Sequence, residues 1–156
     1  DRVAPLMTPL DPTTFVKGAQ ELVAIYGRWP SFHDAEVTGI RLDRGGPPEE
    51  LASAYVSVHL FEGYWDGGDR RWGNHAVVTL RFTPVVDLVL EGFNHQNGIM
   101  DLTFEDAPAP SGVGDVTWQA PAYRVRFEPS FGVGLSLVCR LVEVGAIDRG
   151  WPDRSV

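Results

Sequence analysis

A single cysteine, Cys139, stands in a chain of 156 residues. A lone thiol excludes an intramolecular disulfide framework, so the fold must rest on its core, and the composition points to a reducing compartment such as the cytoplasm. Long apolar runs are also missing. No stretch approaches the roughly 18 residues that a membrane-spanning helix needs, and the opening DRVAPLMTPL has no signal-peptide core. Basic charge is scarce: 13 Lys and Arg against 21 Asp and Glu give a net charge of −8. That balance argues against nucleic-acid or membrane binding and suits a protein partner of basic character. What is present, 44% hydrophobic and 22% charged residues, is ordinary for one globular domain with a core of its own.

The chain is expected to divide into an irregular arm over 1–10, a single domain over 11–145 and a tail over 146–156. DPTTFVKGAQELVAIYG reads as a helix, with Asp11 as cap, Pro12 at the first helical position and Gly27 as left-handed stop. Phe15, Ala19, Leu22, Val23 and Tyr26 give it one apolar stripe. From there on, apolar residues mostly alternate in short runs, predicting strands at 36–43, 53–62, 75–83, 85–91, 99–105, 122–128 and 132–145. Most connections are too short for parallel crossovers, so an antiparallel meander follows. The expected fold is α+β: a strongly curved sheet or sandwich of about seven strands with one N-terminal helix packed on it. Residues 63–74 and 106–121 read as two long loops.

Three places hold residues capable of chemistry. WPSFHDAEV sets His33, Asp34 and Glu36 within four residues. On an extended chain His33 projects opposite to Asp34 and Glu36, so a metal would need ligands from other strands, such as His59, His75 or His95. One reading is a small metal-dependent or general acid/base enzyme using His33, Asp34 and Glu36 with His95 or His59. The other is a strand start, in which His33 and Asp34 bond the turn and Glu36 pairs with an arginine. FNHQNG places His95 among amides, where turn chemistry competes with a general base. Cys139, inside LSLVCRLVEV, reads as a small buried hydrophobe. No metal-ligand spacing or phosphate-binding loop is visible, and no cofactor is expected. A ligand pocket in the concave face of a curved sheet remains a third possibility.

GYWDGGDRRWGN differs in kind. Tyr64, Trp65 and Trp72 stand among Asp66, Asp69, Arg70 and Arg71, a mixture typical of interface anchors with a polar rim. Tyr64, Trp65, Asp66, Asp69 and Trp72 are therefore candidate partner-binding residues. The alternative is that some of these rings fold back to close one end of the sheet.

YGRWPSFHDAEVTGIRLDRGGP, followed by VVTLRFTPVVDLVLEGFNHQN, resembles small immunity proteins of bacterial polymorphic toxin systems, in particular the immunity protein 50 family or a neighbouring group. The features carrying the resemblance are a helix ending in Tyr26-Gly27, the Pro30 link, and the turn from Arg44 to Pro47. The resemblance implies a non-enzymatic protein that binds and neutralises a cognate toxin, and it supplies no catalytic residues.

Overall fold

The computed structural model describes residues 8–47, 50–110 and 118–151. Most of the expected N-terminal arm, the middle of the 106–121 connection and the end of the expected tail lie outside the described residues. A 3-10 turn, Pro12–Thr14, is followed by one helix, α1 (Ala19–Tyr26), and six strands: β1 (Glu36–Asp43), β2 (Ser53–Asp66), β3 (Asp69–Glu91), β4 (Ile99–Asp106), β5 (Tyr123–Pro129) and β6 (Gly134–Arg149).

The expected helix is broken into two pieces. Asp11 caps only the 3-10 turn, where its carboxylate accepts the Thr13 amide at 3.0 Å. Lys17 then bonds β6 on both sides: its N–H donates to the Val142 carbonyl at 2.9 Å, and its carbonyl accepts the Val144 N–H at 2.8 Å. Backbone groups that a longer helix would pair internally are satisfied by the sheet instead. Gly18 permits the approach, since its φ is 82° and a Cβ there would lie 3.2 Å from the Val144 Cβ. α1 stops at the expected place, Gly27, with φ 77°. Ala19, Leu22 and Tyr26 of the apolar stripe are buried, and Phe15 packs beside them, stacked on Tyr123 at 4.4 Å.

The strands form one open antiparallel sheet in the order β1-β2-β3-β6-β5-β4, rather than a sandwich of two sheets. Six strands replace the expected seven because Pro84 does not end a strand. β3 runs through it, with Thr83 opposite Leu141 and Val85 opposite Cys139, while the Val85 N–H donates to the Ala52 carbonyl at 2.8 Å. A proline removes one ladder donor, and the pairing of its neighbours carries the strand on. The order also departs from a simple meander: the long β3 pairs with β6, so the chain crosses to the far edge before β4 begins.

That crossing lets the two edge strands meet at one corner. The Val37 N–H donates to the Asn97 carbonyl at 3.0 Å, the Ile99 N–H to Ala35 at 2.9 Å, and the Asp34 N–H to Ile99 at 3.0 Å. Bulges, among them Val37/Gly39, Leu60/Glu62 and Ile99/Asp101, bend the strands enough for the sheet to curl back without closing. Val56, Val58, Leu60, Val78, Leu80, Phe82, Phe104, Phe127 and Leu137 fill the interior together with Leu22 of α1. Cys139 is buried in this core as expected, and burial pushes its thiol up to about 12.

Candidate partner-binding site

The segment read as an aromatic loop is a β-hairpin, the paired ends of β2 and β3. Gly67 and Gly68, with φ of 57° and 90°, form its two-residue turn, and Asp66 stands opposite Asp69. Left-handed torsions at both turn residues match the twist of the flanking strands, which is why two glycines serve here. Pairing continues with Trp65 opposite Arg70, Tyr64 opposite Arg71 and Gly63 opposite Trp72. No residue from Phe61 to His75 is buried. The hairpin therefore projects from the sheet, and its rings do not close an end of the core.

A bulge at its root decides which way the rings face. Between the pairs Leu60–Ala76 and Glu62–Gly73, β3 has two residues, Asn74 and His75, against Phe61 alone on β2. Asn74 takes up the extra residue with φ 50°, a torsion that asparagine tolerates better than most side chains. The switch sets Trp72 and Arg70 on the face shared by Phe61, Gly63 and Trp65. There the Arg70 guanidinium lies 5.0 Å from the Trp72 ring and 5.5 Å from Trp65. Tyr64 sits on the opposite face, beside Gly73. The expected set of aromatics is thus split: Trp65 and Trp72 act together and Tyr64 apart from them.

The bulge is braced from the helix. The Tyr26 hydroxyl donates to the Asn74 carbonyl at 2.8 Å, and the Asn74 amide donates to Glu62 at 2.7 Å. Burial pushes the Tyr26 phenol up to about 12, opposed by nearby Arg149 and reinforced by Glu62.

Facing Trp72 and Arg70 across a groove of about 390 Å³ is the link from α1 to β1, which contributes Arg28, His33 and Asp34. A second pocket of about 320 Å³ adjoins it, walled by Asp34, Phe61, Trp72, His75 and Trp151. The two segments singled out in the sequence, FHDAEV and the aromatic hairpin, therefore line one depression.

FHDAEV itself is the seam of the curled sheet. Ala35 and Val37 are buried, and their backbones carry the bonds to Asn97 and Ile99. His33 Nδ1 lies 3.0 Å from the Met100 carbonyl, and its Nε2 is 3.6 Å from Asp34. Asp34 has φ 68°, so the chain turns there and Glu36 leaves in another direction. The expected arginine partner of Glu36 is absent among the described residues; Glu36 stands instead between His59 of β2 and Gly98 at the seam. His95 sits exposed in the 94–97 turn, which is held by Asn97: its side chain accepts the Asn94 N–H at 2.9 Å and donates to the Asn94 carbonyl at 2.6 Å. His59 is buried against His75, ring nitrogens 3.0 Å apart. Among the described residues no three His, Cys, Asp or Glu side chains converge on a metal-sized site.

Arg70, Phe61 and Trp151 were not among the candidates. The Gly67-Gly68 pair holds the signal for the first two, since counting outward from a two-residue turn sets Arg70 against Trp65 and Trp72 against Gly63. Trp151 lies just beyond β6, where no periodicity marks it.

Comparison with curated proteins and with solved structures gives no match. A protein-family model described as immunity protein 50 matches residues 18–150, from the glycine before α1 to the residue after β6. With most of its length matched, including the seam, the hairpin and the core strands, the chain belongs to the immunity protein 50 family.

Proposed function

We propose that this protein binds a toxin domain and neutralises it by occupying its surface, without catalysis, and that the hairpin of β2 and β3 is the principal contact. One observation carries the reading: Trp65 is 70% exposed and Trp72 50% exposed on a projecting element, although both are large apolar rings that a monomer gains nothing by showing to water. Asp66, Asp69, Arg70 and Arg71 surround them as a polar rim. Membership of an immunity family supports a protein as partner. The net charge of −8 favours a basic toxin domain over nucleic acid or an anionic membrane, and the single buried thiol suits a cytoplasmic protein.

The acid/base reading is less well supported. His33 and Asp34 are neighbours, and Glu36 stands opposite His59 across β1 and β2. His95, however, lies apart in an exposed turn, and no three His, Cys, Asp or Glu side chains among the described residues converge on a metal-sized site.

The test starts from the neighbouring gene: where it encodes a toxin domain, binding kinetics are measured against that domain, with a melt on each variant. Trp65→Ala and Trp72→Ala are expected to weaken binding by about 2 kcal/mol or more, as for anchor rings, with unchanged melting. Charge reversal at Asp66 and Asp69 slows association and reduces its salt dependence. Wild-type affinity in both tryptophan variants would remove the hairpin from the interface.

A further inference from the structure

We infer that the smaller pocket beside the hairpin receives one basic side chain, arginine or lysine, from the protein partner. The inference rests on the hairpin being the partner-binding element and specifies what the partner brings to it. The pocket has aromatic walls and one carboxylate. Phe61 meets Trp72 edge to face at 5.5 Å and lies 5.9 Å from His75, and His75 meets Trp151 at 4.0 Å. Trp72 and Trp151 are 50% and 59% exposed, so both rings present surface to an incoming group. Aromatic faces carry negative partial charge and attract a guanidinium or ammonium group, most strongly on tryptophan.

Asp34 supplies the formal charge. Its backbone is held at the seam by the bond to Ile99. Its carboxylate has His33 Nε2 at 3.6 Å, beyond hydrogen-bonding distance, so its oxygens are open to a donor. The protein also shows that its own rings take a guanidinium: Arg70 lies over Trp65 and Trp72. Arg70 lines the larger groove and is not part of the smaller pocket, which leaves that cation site unfilled. At about 320 Å³ the space is at the low end for a small-molecule site and suits one long side chain. An acidic group would meet the Asp34 carboxylate, and a neutral one would leave it unused. The overall charge of −8 draws the same kind of partner.

Capped Gly-Arg-Gly serves as probe, with capped Gly-Gln-Gly and Gly-Glu-Gly as controls, followed by NMR of the indole N–H groups. The arginine peptide is expected to shift the Trp72 and Trp151 signals saturably, to leave Trp29 and Trp118 in place, and to bind Asp34→Asn at least five-fold more weakly. Asparagine tolerates the positive φ at this position, so that variant keeps the seam. An equal response to the glutamine peptide, no response at saturating probe, or an unchanged dissociation constant in Asp34→Asn would each overturn the inference. A toxin domain whose binding depends on Trp65, together with an arginine peptide that moves no indole, would keep the hairpin interface and reject the basic anchor.

Discussion

Replacing Tyr26 by Phe removes one oxygen atom and tests how the hairpin is held. The hydroxyl donates to the Asn74 carbonyl at 2.8 Å, at the bulge that turns the hairpin's rings toward the groove. Loss of the bond leaves that carbonyl short of a partner, at a cost of about 1 kcal/mol near neutral pH. The phenol adds a pH signature. An ordinary tyrosine ionises near 10.0, and burial carries this one to about 12. Above pH 10 the unfolded chain gives up the proton first, so the linked stability is complete below pH 10 and is lost as pH rises toward 12. At about 1.36 kcal/mol per tenfold change in proton affinity the ceiling is about 2.7 kcal/mol; solvent screening of the partly exposed hydroxyl reduces it to about 1 kcal/mol, about half of which is gone by pH 11. Tyr123 and Cys139 are also raised by burial, but they are common to both proteins and cancel in the difference. Urea unfolding of wild type and Tyr26→Phe from pH 7 to pH 11 measures it. Wild type should lead by about 1 kcal/mol at pH 7 and lose about half of that lead by pH 11. Parallel profiles over the whole range would refute the linkage, and equal stability at pH 7 would refute the brace.

Gly18→Ala should lower stability by about 1 kcal/mol or more, since it sets a side chain at φ 82° against Val144; an unchanged melt would mean that β6 yields at no cost. At the seam, Val37→Ala should cost about 1 to 3 kcal/mol, whereas Glu36→Ala should change stability by less than about 1 kcal/mol. Urea melts of the two variants separate a seam built on its apolar residues from one built on the carboxylate, and a larger loss in Glu36→Ala would reverse that assignment.

The edge strands were the most legible part of the fold. β1 was expected at 36–43 and occupies Glu36–Asp43; β4 was expected at 99–105 and ends one residue later, at Asp106. Both are short runs between clear turn residues, so local pattern settles their bounds. Three features answer to non-local forces that the local sequence pattern does not carry. Pro84 is carried through by pairing on β6, the helix is cut short because Lys17 bonds Val142 and Val144, and the order β3-β6-β5-β4 depends on which long strands meet. At the site, the residue types in FHDAEV and the aromatic segment were conspicuous in sequence. Their shared depression was not, because it requires the sheet to curl and Asn74 to reset the alternation. The hairpin was legible in principle from Gly67-Gly68, but the density of glycine, charge and aromatics made it look like a loop.

The absence of any buried side chain between Phe61 and His75 also bears on how such a protein diversifies. Apart from the glycines that the turn and the close strand approach require, the positions beyond the Asn74 bulge are free of the packing constraints that govern the core, so most substitutions there are filtered mainly by recognition. The hairpin could grow or shrink by two matched pairs at a time, which keeps each remaining side chain on its own face, while the seam and the β3–β6 ladder stay as they are. A lineage facing a changing adversary could then revise its contact surface in small steps without passing through unfolded intermediates. The same freedom makes the hairpin the natural place to graft a new specificity onto this scaffold.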